Sequence, residues 1–213
     1  MATEVLLFDA YGTLWDVHSV VKRCESCWPG KGQAVSQIWR TKQLEATWLR
    51  SLMGRYVPFS TVTREALAFA CEALHLSLHS DHESELMAEY LRLATFPDVA
   101  DAFMKRTAAR IGILSNGSPD MLEPLVMHSG LKFDAVLSVD EVQVFKPSPK
   151  VYQLAVERFG VPKERIAFVT SNFWDAAGAK SFGFTVYWIN RGGIAAERLG
   201  FQPDRVLRSL AAL

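Results

Sequence analysis

The sequence predicts an α/β protein: a parallel sheet covered by helices on both faces, with an all-helical lobe inserted after the first strand. Three observations carry the prediction. Near-continuous apolar runs recur as Val5–Asp9, Arg110–Ser115, Ala135–Ser138, Ile166–Thr170 and Thr185–Ile189, as expected of strands buried on both faces. Helical stretches at Pro119–Ser129, Pro149–Phe159 and Trp174–Phe182 alternate with the later runs, the rhythm of parallel crossovers. From about Val17 to Phe96 that rhythm stops, and no convincing strand is found.

The first strand, Glu4 to Phe8, runs straight into Asp9-Ala10-Tyr11-Gly12-Thr13-Leu14. Ligands of open α/β sheets collect at the carboxyl ends of strands, so Asp9 is placed to meet one. A carboxylate held close to carbon or phosphorus and shielded from water is a nucleophile. The plain structural reading is an aspartate capping a turn through Gly12, with Thr13 as a turn hydroxyl.

The inserted interval reads as four helices, Val17–Cys27, Ala34–Met53, Thr61–Leu76 and Asp81–Ala94, punctuated by Gly30, Gly32, Gly54, Pro58 and Pro97. Residues 1–16 and 97–213 are then the α/β core and residues 17–96 the helical lobe. A cleft between two such lobes is a common ligand location.

The later strands also end in polar groups. Ile111-Gly112-Ile113-Leu114 leads to Ser115-Asn116-Gly117 before the helix that Pro119 opens. A helix N-terminus beside a hydroxyl suits an anion, although Ser118 would serve equally as a simple cap. Lys146, in Val144-Phe145-Lys146-Pro147, is placed to neutralise Asp9; a lysine in a loop is otherwise solvated. Phe168 to Thr170 leads to Ser171-Asn172-Phe173-Trp174-Asp175, where Asp175 would orient or deprotonate water. Ser171 or Asn172 would alternatively only cap a helix. Each piece is weak, but their order at successive strand ends is specific.

The totals fit a globular protein with one sizeable core and a smaller lobe: 213 residues, 49% hydrophobic and 22% charged. Balanced charge, 23 basic against 23 acidic residues, favours neither nucleic acid nor an acidic membrane. No apolar run nears the roughly 20 residues of a membrane span. Met1-Ala2-Thr3-Glu4 shows no signal-peptide pattern, so the cytoplasm is the expected compartment. Cys24 and Cys27 have the CxxC spacing, but no second Cys/His pair completes a zinc site, and the pair lies in a predicted helix. Reduced helix thiols are expected.

Taken together, Asp9, Ser115-Asn116, Lys146 and Asp175 resemble the four motifs of the haloacid dehalogenase superfamily, in order. Within it the chain resembles the L-2-haloacid dehalogenase family through Phe8 to Val17, Trp39 to Glu45, Thr47 to Met53, Leu114 to Pro119 and Ser171 to Asp175. The resemblance covers nearly the whole chain, the helical lobe included. It implies a Rossmann-like core with an inserted cap. It also implies a reaction: Asp9 attacks C2 of an (S)-2-haloalkanoate, halide leaves with inversion, and water cleaves the aspartyl ester to the (R)-2-hydroxy acid. Neither metal nor cofactor is implied.

The resemblance assigns roles to particular residues. Arg40 and Asn116 would hold the halide, with Phe59 and Trp174 as apolar walls and Tyr11 and Leu44 lining the pocket. Ser115, helped by backbone amides after Asp9, would bind the substrate carboxylate. Lys146 would neutralise Asp9, with Tyr152 in support, while Thr13, Asn172 and Asp175 would order the ester-cleaving water. Without the resemblance, Arg40 reads as a helix-surface arginine and Phe59, Leu44 and Trp174 as core packing. Related enzymes are usually homodimers that pair through a cap helix, and Trp39, Trp48, Leu49 and Leu52 permit this here.

Three features depart from the family pattern. Thr41 stands where glutamine is common, Thr170 where serine is common, and the stretch before Ile111 is shortened. Two other functions compete with the dehalogenase. A metal-dependent phosphatase of the superfamily would need an aspartate two places after Asp9 to protonate its leaving group, and Tyr11 stands there. A non-catalytic anion- or carboxylate-binding protein would be stabilised by ligand without turnover.

Overall fold

The structure, a computed structural model, describes residues 3–104 and 110–213. Six parallel strands form one sheet: β1 (Val5–Phe8), β2 (Arg110–Ser115), β3 (Ala135–Ser138), β4 (Ile166–Thr170), β5 (Thr185–Ile189) and β6 (Arg205–Leu207). Their order, β3-β2-β1-β4-β5-β6, is that of a Rossmann-type sheet, whose order reverses beside β1. The predicted parallel α/β core is therefore present. β6 was not foreseen: it is a three-residue edge strand with Arg205 and Val206 exposed, too short and too polar to leave a period-2 signal.

The helices are α1 (Val21–Cys27), α2 (Gly32–Met53), α3 (Phe59–Ala73), α4 (Ser80–Glu89), α5 (Asp98–Met104), α6 (Pro119–Ser129), α7 (Pro149–Phe159) and α8 (Phe173–Phe182). Neighbouring residues of β1 point to opposite faces of the sheet. Leu7 shares its face with Phe159 of α7, both lying within about van der Waals range of Gly112. Phe8 stacks instead on Phe103 of α5, with ring centroids 5.5 Å apart. Helices thus cover both faces.

By internal contacts the chain forms two compact units. One comprises Met1–Trp15, Thr95–Asn116 and Leu131–Leu213, and contains the sheet; the other comprises Asp16–Ala94 and Gly117–Gly130 and is helical. Gly117–Gly130, expected with the sheet, groups with the helices. Ser118 Oγ accepts from the Ser60 amide at 3.1 Å, and the Thr63 hydroxyl approaches Met121 Sδ at 3.9 Å. The crossover helix α6 is thereby held by α3.

Helix limits differ where tertiary contacts override local pattern. α2 begins at Gly32 rather than Ala34, because the Gly32 amide donates to Glu25 Oε2 at 2.9 Å. A Cβ at Gly32 would lie 2.6 Å from the Glu25 backbone nitrogen, so only glycine lets α1 and α2 approach there. The predicted first helix starts as a 3-10 turn, Val17–Val20. The fourth stops at Glu89 rather than Ala94, as the amides of Tyr90, Leu91 and Arg92 turn to carbonyls three residues back. The shortened stretch noted before Ile111 falls partly on residues 105–109, outside the described residues. Among the described residues no helix is long and apolar enough to cross a membrane. Cys24 and Cys27 sit on α1 as free thiols, and burial pushes Cys24 up to about 12.

Candidate active site

Strand register sets the site. Phe8 pairs with Ile113 of β2 and Val169 of β4, so β4 runs one residue and β2 two residues past the level at which β1 ends, and the three strand ends lie close together. This is the crevice where the strand order reverses. The Asp9 amide donates to Val169 O at 2.9 Å, which ties the carboxylate's own backbone to β4. The turn beyond it closes on itself, as the Thr13 and Leu14 amides donate to Ala10 O and the Gly12 amide to Trp15 O.

Asp9 is 6% exposed, and its two oxygens are served unequally. Oδ2 accepts from the Thr13 hydroxyl at 2.9 Å, from Asn172 Nδ2 at 2.8 Å and from the Thr170 hydroxyl at 3.3 Å. Oδ1 accepts from Lys146 Nζ at 3.1 Å. The Oδ2 donors are themselves fixed. The Ser171 amide donates to Thr13 Oγ1 at 2.9 Å, the Asn172 amide donates to Thr170 Oγ1 at 3.1 Å, and Ser171 Oγ donates to Gly12 O at 2.5 Å.

Asn172 occupies the cap position of α8 without a side-chain capping bond; its amide group is turned to Asp9 and, at 3.3 Å, to Tyr11 O. The capping alternative therefore fails for Asn172. Ser118 likewise caps α6 by position but not by side chain. The methyl that Thr170 carries in place of the common serine leaves its hydroxyl in reach of Asp9.

Lys146 is 1% exposed, not a solvated loop lysine. Its ammonium lies 2.8 Å from Asp175 Oδ2 as well as 3.1 Å from Asp9 Oδ1, and 4.8 Å from the Phe168 ring centroid. Burial would discharge it, but Asp175 and Asp9 outweigh that and raise its pKa, so it stays charged. Its backbone amide donates to Asn116 Oδ1 at 2.9 Å. An N–H can face only the carbonyl end of that amide, so Asn116 offers its Nδ2 as a donor.

Asp175 is fully buried. Its Oδ1 accepts from the Tyr152 hydroxyl at 2.8 Å, so Tyr152 and Lys146 are linked through this carboxylate. Burial raises Asp175 to about 6; Lys146 opposes the rise and Asp9 adds to it. Burial and Asp175 together hold Tyr152 well above its ordinary value, a neutral donor. Two carboxylates around one ammonium make a buried cluster of net charge about −1. Removing one partner of such a pair costs about 3–5 kcal/mol.

Asp9, Thr13, Asn116, Lys146, Tyr152, Asn172 and Asp175 are thus one hydrogen-bonded network. Tyr11 and Ser115 are buried in the same unit, and Trp174 is half-buried on α8. Arg40, Leu44 and Phe59 belong to the helical unit. Arg40 Nη1 donates to Gln43 Oε1 at 2.7 Å, so Arg40 is no mere surface arginine; Phe59 is 1% exposed and Leu44 half-buried.

Four residues with a part in this architecture escaped the sequence reading. In sequence Ser171 suggests only a cap, whereas its amide braces the Thr13 hydroxyl. Gly178 has no chemistry of its own, and a helix glycine carries no signal of what approaches it. Gln43 reads as an ordinary helix former. Arg191 donates to Thr13 O at 3.0 Å and pairs with Asp98 at 2.8 Å, a contact between segments far apart in the chain.

A family model of haloacid dehalogenase-like hydrolases matches residues 3–183. The chain is 51% identical over 212 residues to an (S)-2-haloacid dehalogenase of Pseudomonas putida, covering 98% of this chain and 93% of that one. It is 50% identical to an (S)-2-haloacid dehalogenase of Pseudomonas sp. (strain YL), covering 98% and 91%. The solved structure of L-2-haloacid dehalogenase from Xanthobacter autotrophicus with chloropropionic acid covalently bound superposes with a TM-score of 0.93. That protein shares 41% identity, over 98% of this chain and 96% of the other. With the sheet order, the strand-end network and near full-length identity in agreement, the chain belongs to the haloacid dehalogenase superfamily and, within it, to the L-2-haloacid dehalogenase family.

Proposed function

We propose that the protein hydrolyses (S)-2-haloacids to (R)-2-hydroxy acids with inversion at C2, through an ester on Asp9. The observation that carries the mechanism is the unequal hydrogen bonding of the Asp9 carboxylate. Each hydrogen bond lowers the nucleophilicity of the oxygen that accepts it. Oδ1, with the single ammonium partner, is therefore the attacking atom. Its lone pair forms the bond to C2 as the carbon–halogen pair departs with the halide. For that anion the family resemblance offers Arg40 and the Asn116 Nδ2 as partners, with Phe59, Trp174, Tyr11 and Leu44 as apolar lining. Ser115 takes the substrate carboxylate, and Lys146 compensates charge at Asp9.

In the ester, Oδ2 is the carbonyl oxygen. Water adds to Cγ, and negative charge builds on Oδ2, where Thr13 and Asn172 already donate. That is oxyanion stabilisation organised before the reaction begins. Asp175, raised by burial to about 6, is basic enough to take the proton of that water at neutral pH. Collapse breaks Cγ–Oδ1, the departing Oδ1 takes the proton held by Asp175 and becomes the product hydroxyl, and the proton left on the incoming oxygen is lost to solvent as Asp9 returns to a carboxylate. Halide needs no proton on leaving, so Tyr11 serves where a phosphatase would require an aspartate.

The cytoplasm is the proposed compartment: all three cysteines are free thiols, which suits a reducing environment. A homodimer is the proposed state, resting on the exposed apolar residues of α2.

The test is one turnover of excess enzyme on (S)-2-chloropropionate in oxygen-18 water with a chelator present. Chloride release with the label on Asp9 and an unlabelled product is expected. Label in the product, or a requirement for a divalent cation, would overturn the mechanism.

A further inference from the structure

We infer that Gln43 is a positioning residue that aims the Arg40 guanidinium at the departing halide; the inference rests on the role proposed above for Arg40. Gln43 sits on α2, one helical turn beyond Arg40, and is fully buried. A buried primary amide is costly unless its polar atoms are paired, and here both ends are. Its Oε1 accepts from Arg40 Nη1 at 2.7 Å, and its Nε2 donates to the Thr63 hydroxyl at 2.7 Å. Thr63, itself fully buried on α3, donates onward to Phe59 O at 2.7 Å.

The chain of donors has one direction. Arg40 can only donate, so the amide must present oxygen to it and nitrogen to Thr63; the flipped amide would set two donors face to face. The dipoles from Phe59 O to Arg40 align and strengthen one another. The chain also joins two residues assigned to the halide site, Arg40 and Phe59, within one unit.

The surroundings lock Gln43. Trp39 Nε1 donates to Thr63 O at 2.7 Å, and the Trp39 ring lies 4.9 Å from that of Tyr90. The Tyr90 hydroxyl shares a side-chain hydrogen bond with Gln43. Burial drives Tyr90 up to about 12, so it is neutral and does not cancel the charge of Arg40. A free arginine side chain samples many rotamers. Gln43 selects among them through a neutral acceptor that adds no charge of its own.

The readout is leaving-group dependence. Chloride leaves less readily than bromide, so its departure relies more on a well-aimed cation. Halide release is measured in single turnover at saturating (S)-2-chloropropionate and (S)-2-bromopropionate, for the wild type, Gln43→Met, Thr63→Val and Arg40→Met. Misplacing a catalytic group by about 1 Å costs up to roughly a hundredfold. Gln43→Met should therefore lose about ten- to a hundredfold on the chloro substrate, less on the bromo substrate, with little change in half-saturating concentration. Thr63→Val should shift the bromo/chloro ratio the same way by less, and Arg40→Met by more.

Equal losses on both substrates, or a ratio unchanged in Gln43→Met while Arg40→Met moves it, would overturn the inference and leave the proposed function standing. A ratio unmoved by Arg40→Met removes the halide role of Arg40 and the inference with it. No halide release by the wild type sinks the proposed function itself. Should Gln43→Met fail to fold, Thr63→Val decides: it removes the partner of Gln43 Nε2 without altering charge, and a bromo/chloro ratio no higher than that of the wild type would overturn the inference.

Discussion

Asn172 has two possible employments, and the difference between them is chemical. As a helix cap it would satisfy a backbone amide; instead it donates to Asp9 Oδ2 at 2.8 Å. Its place among the family's motifs was legible, but the direction of its side chain was not. That direction is decided by the level at which β1 and β4 end, which sequence spacing does not report. Removing one oxyanion donor typically slows a reaction by about 10²–10³. Asn172→Ala should therefore impair hydrolysis of the ester more than its formation. Mass spectrometry of protein quenched during turnover should show an Asp9 adduct accumulating in Asn172→Ala but not in the wild type. Equal slowing of both steps would count against Oδ2 as the oxyanion.

Lys146 shows the same limit of legibility. Its sequence neighbours, Phe145 and Pro147, gave no sign of its burial. Only the convergence of Asp9, Asp175 and Asn116 from three other strand ends makes a charged lysine stable there.

Elements place these side chains through close approach. Helices α7 and α8 meet where Gly178 faces Pro147 and Tyr152. A Cβ on Gly178 would lie 2.4 Å from Pro147 Cβ and 2.6 Å from the Tyr152 hydroxyl. Neither neighbour is the end of a flexible chain, so the helices must separate. Gly178→Ala, favourable in an isolated helix by about 1 kcal/mol, should instead destabilise the fold by about 1–3 kcal/mol. It should also cut halide release, since the Tyr152–Asp175 bond is the one displaced. Thermal unfolding and single-turnover rates check both halves, and an unchanged rate would remove Tyr152 from the support of Lys146. The predicted strands β1 to β5 fell within a residue of their observed limits because long apolar runs bounded by polar residues leave few alternatives. Helix α5 was missed because its seven residues are too few to establish a period.

At the scale of the molecule, the α/β class followed from alternation of strand and helix, whereas the grouping of Gly117–Gly130 with the helical unit did not. That grouping depends on α6 meeting α3, a contact between segments some 60 residues apart. The helical unit leaves Leu49, Leu52 and Met53 exposed at the end of α2, with Leu52 85% accessible. Their spacing sets them on one helix face, and Phe69 of α3 is exposed as well. A face of this kind suits self-association. Sedimentation should find a dimer for the wild type and a monomer for Leu52→Glu. A wild-type monomer, or a Leu52→Glu dimer, would place any association elsewhere.

The asymmetry of Asp9 reaches beyond a single catalytic cycle. On the proposed mechanism every pass would surrender to the product the oxygen beside Lys146 and refill that position from solvent. The atom gripped by Thr13, Thr170 and Asn172 is never exchanged unless the carboxylate rotates. An enzyme molecule that has turned over many thousands of substrates would thus still carry one of the two oxygens with which its nucleophile was synthesised.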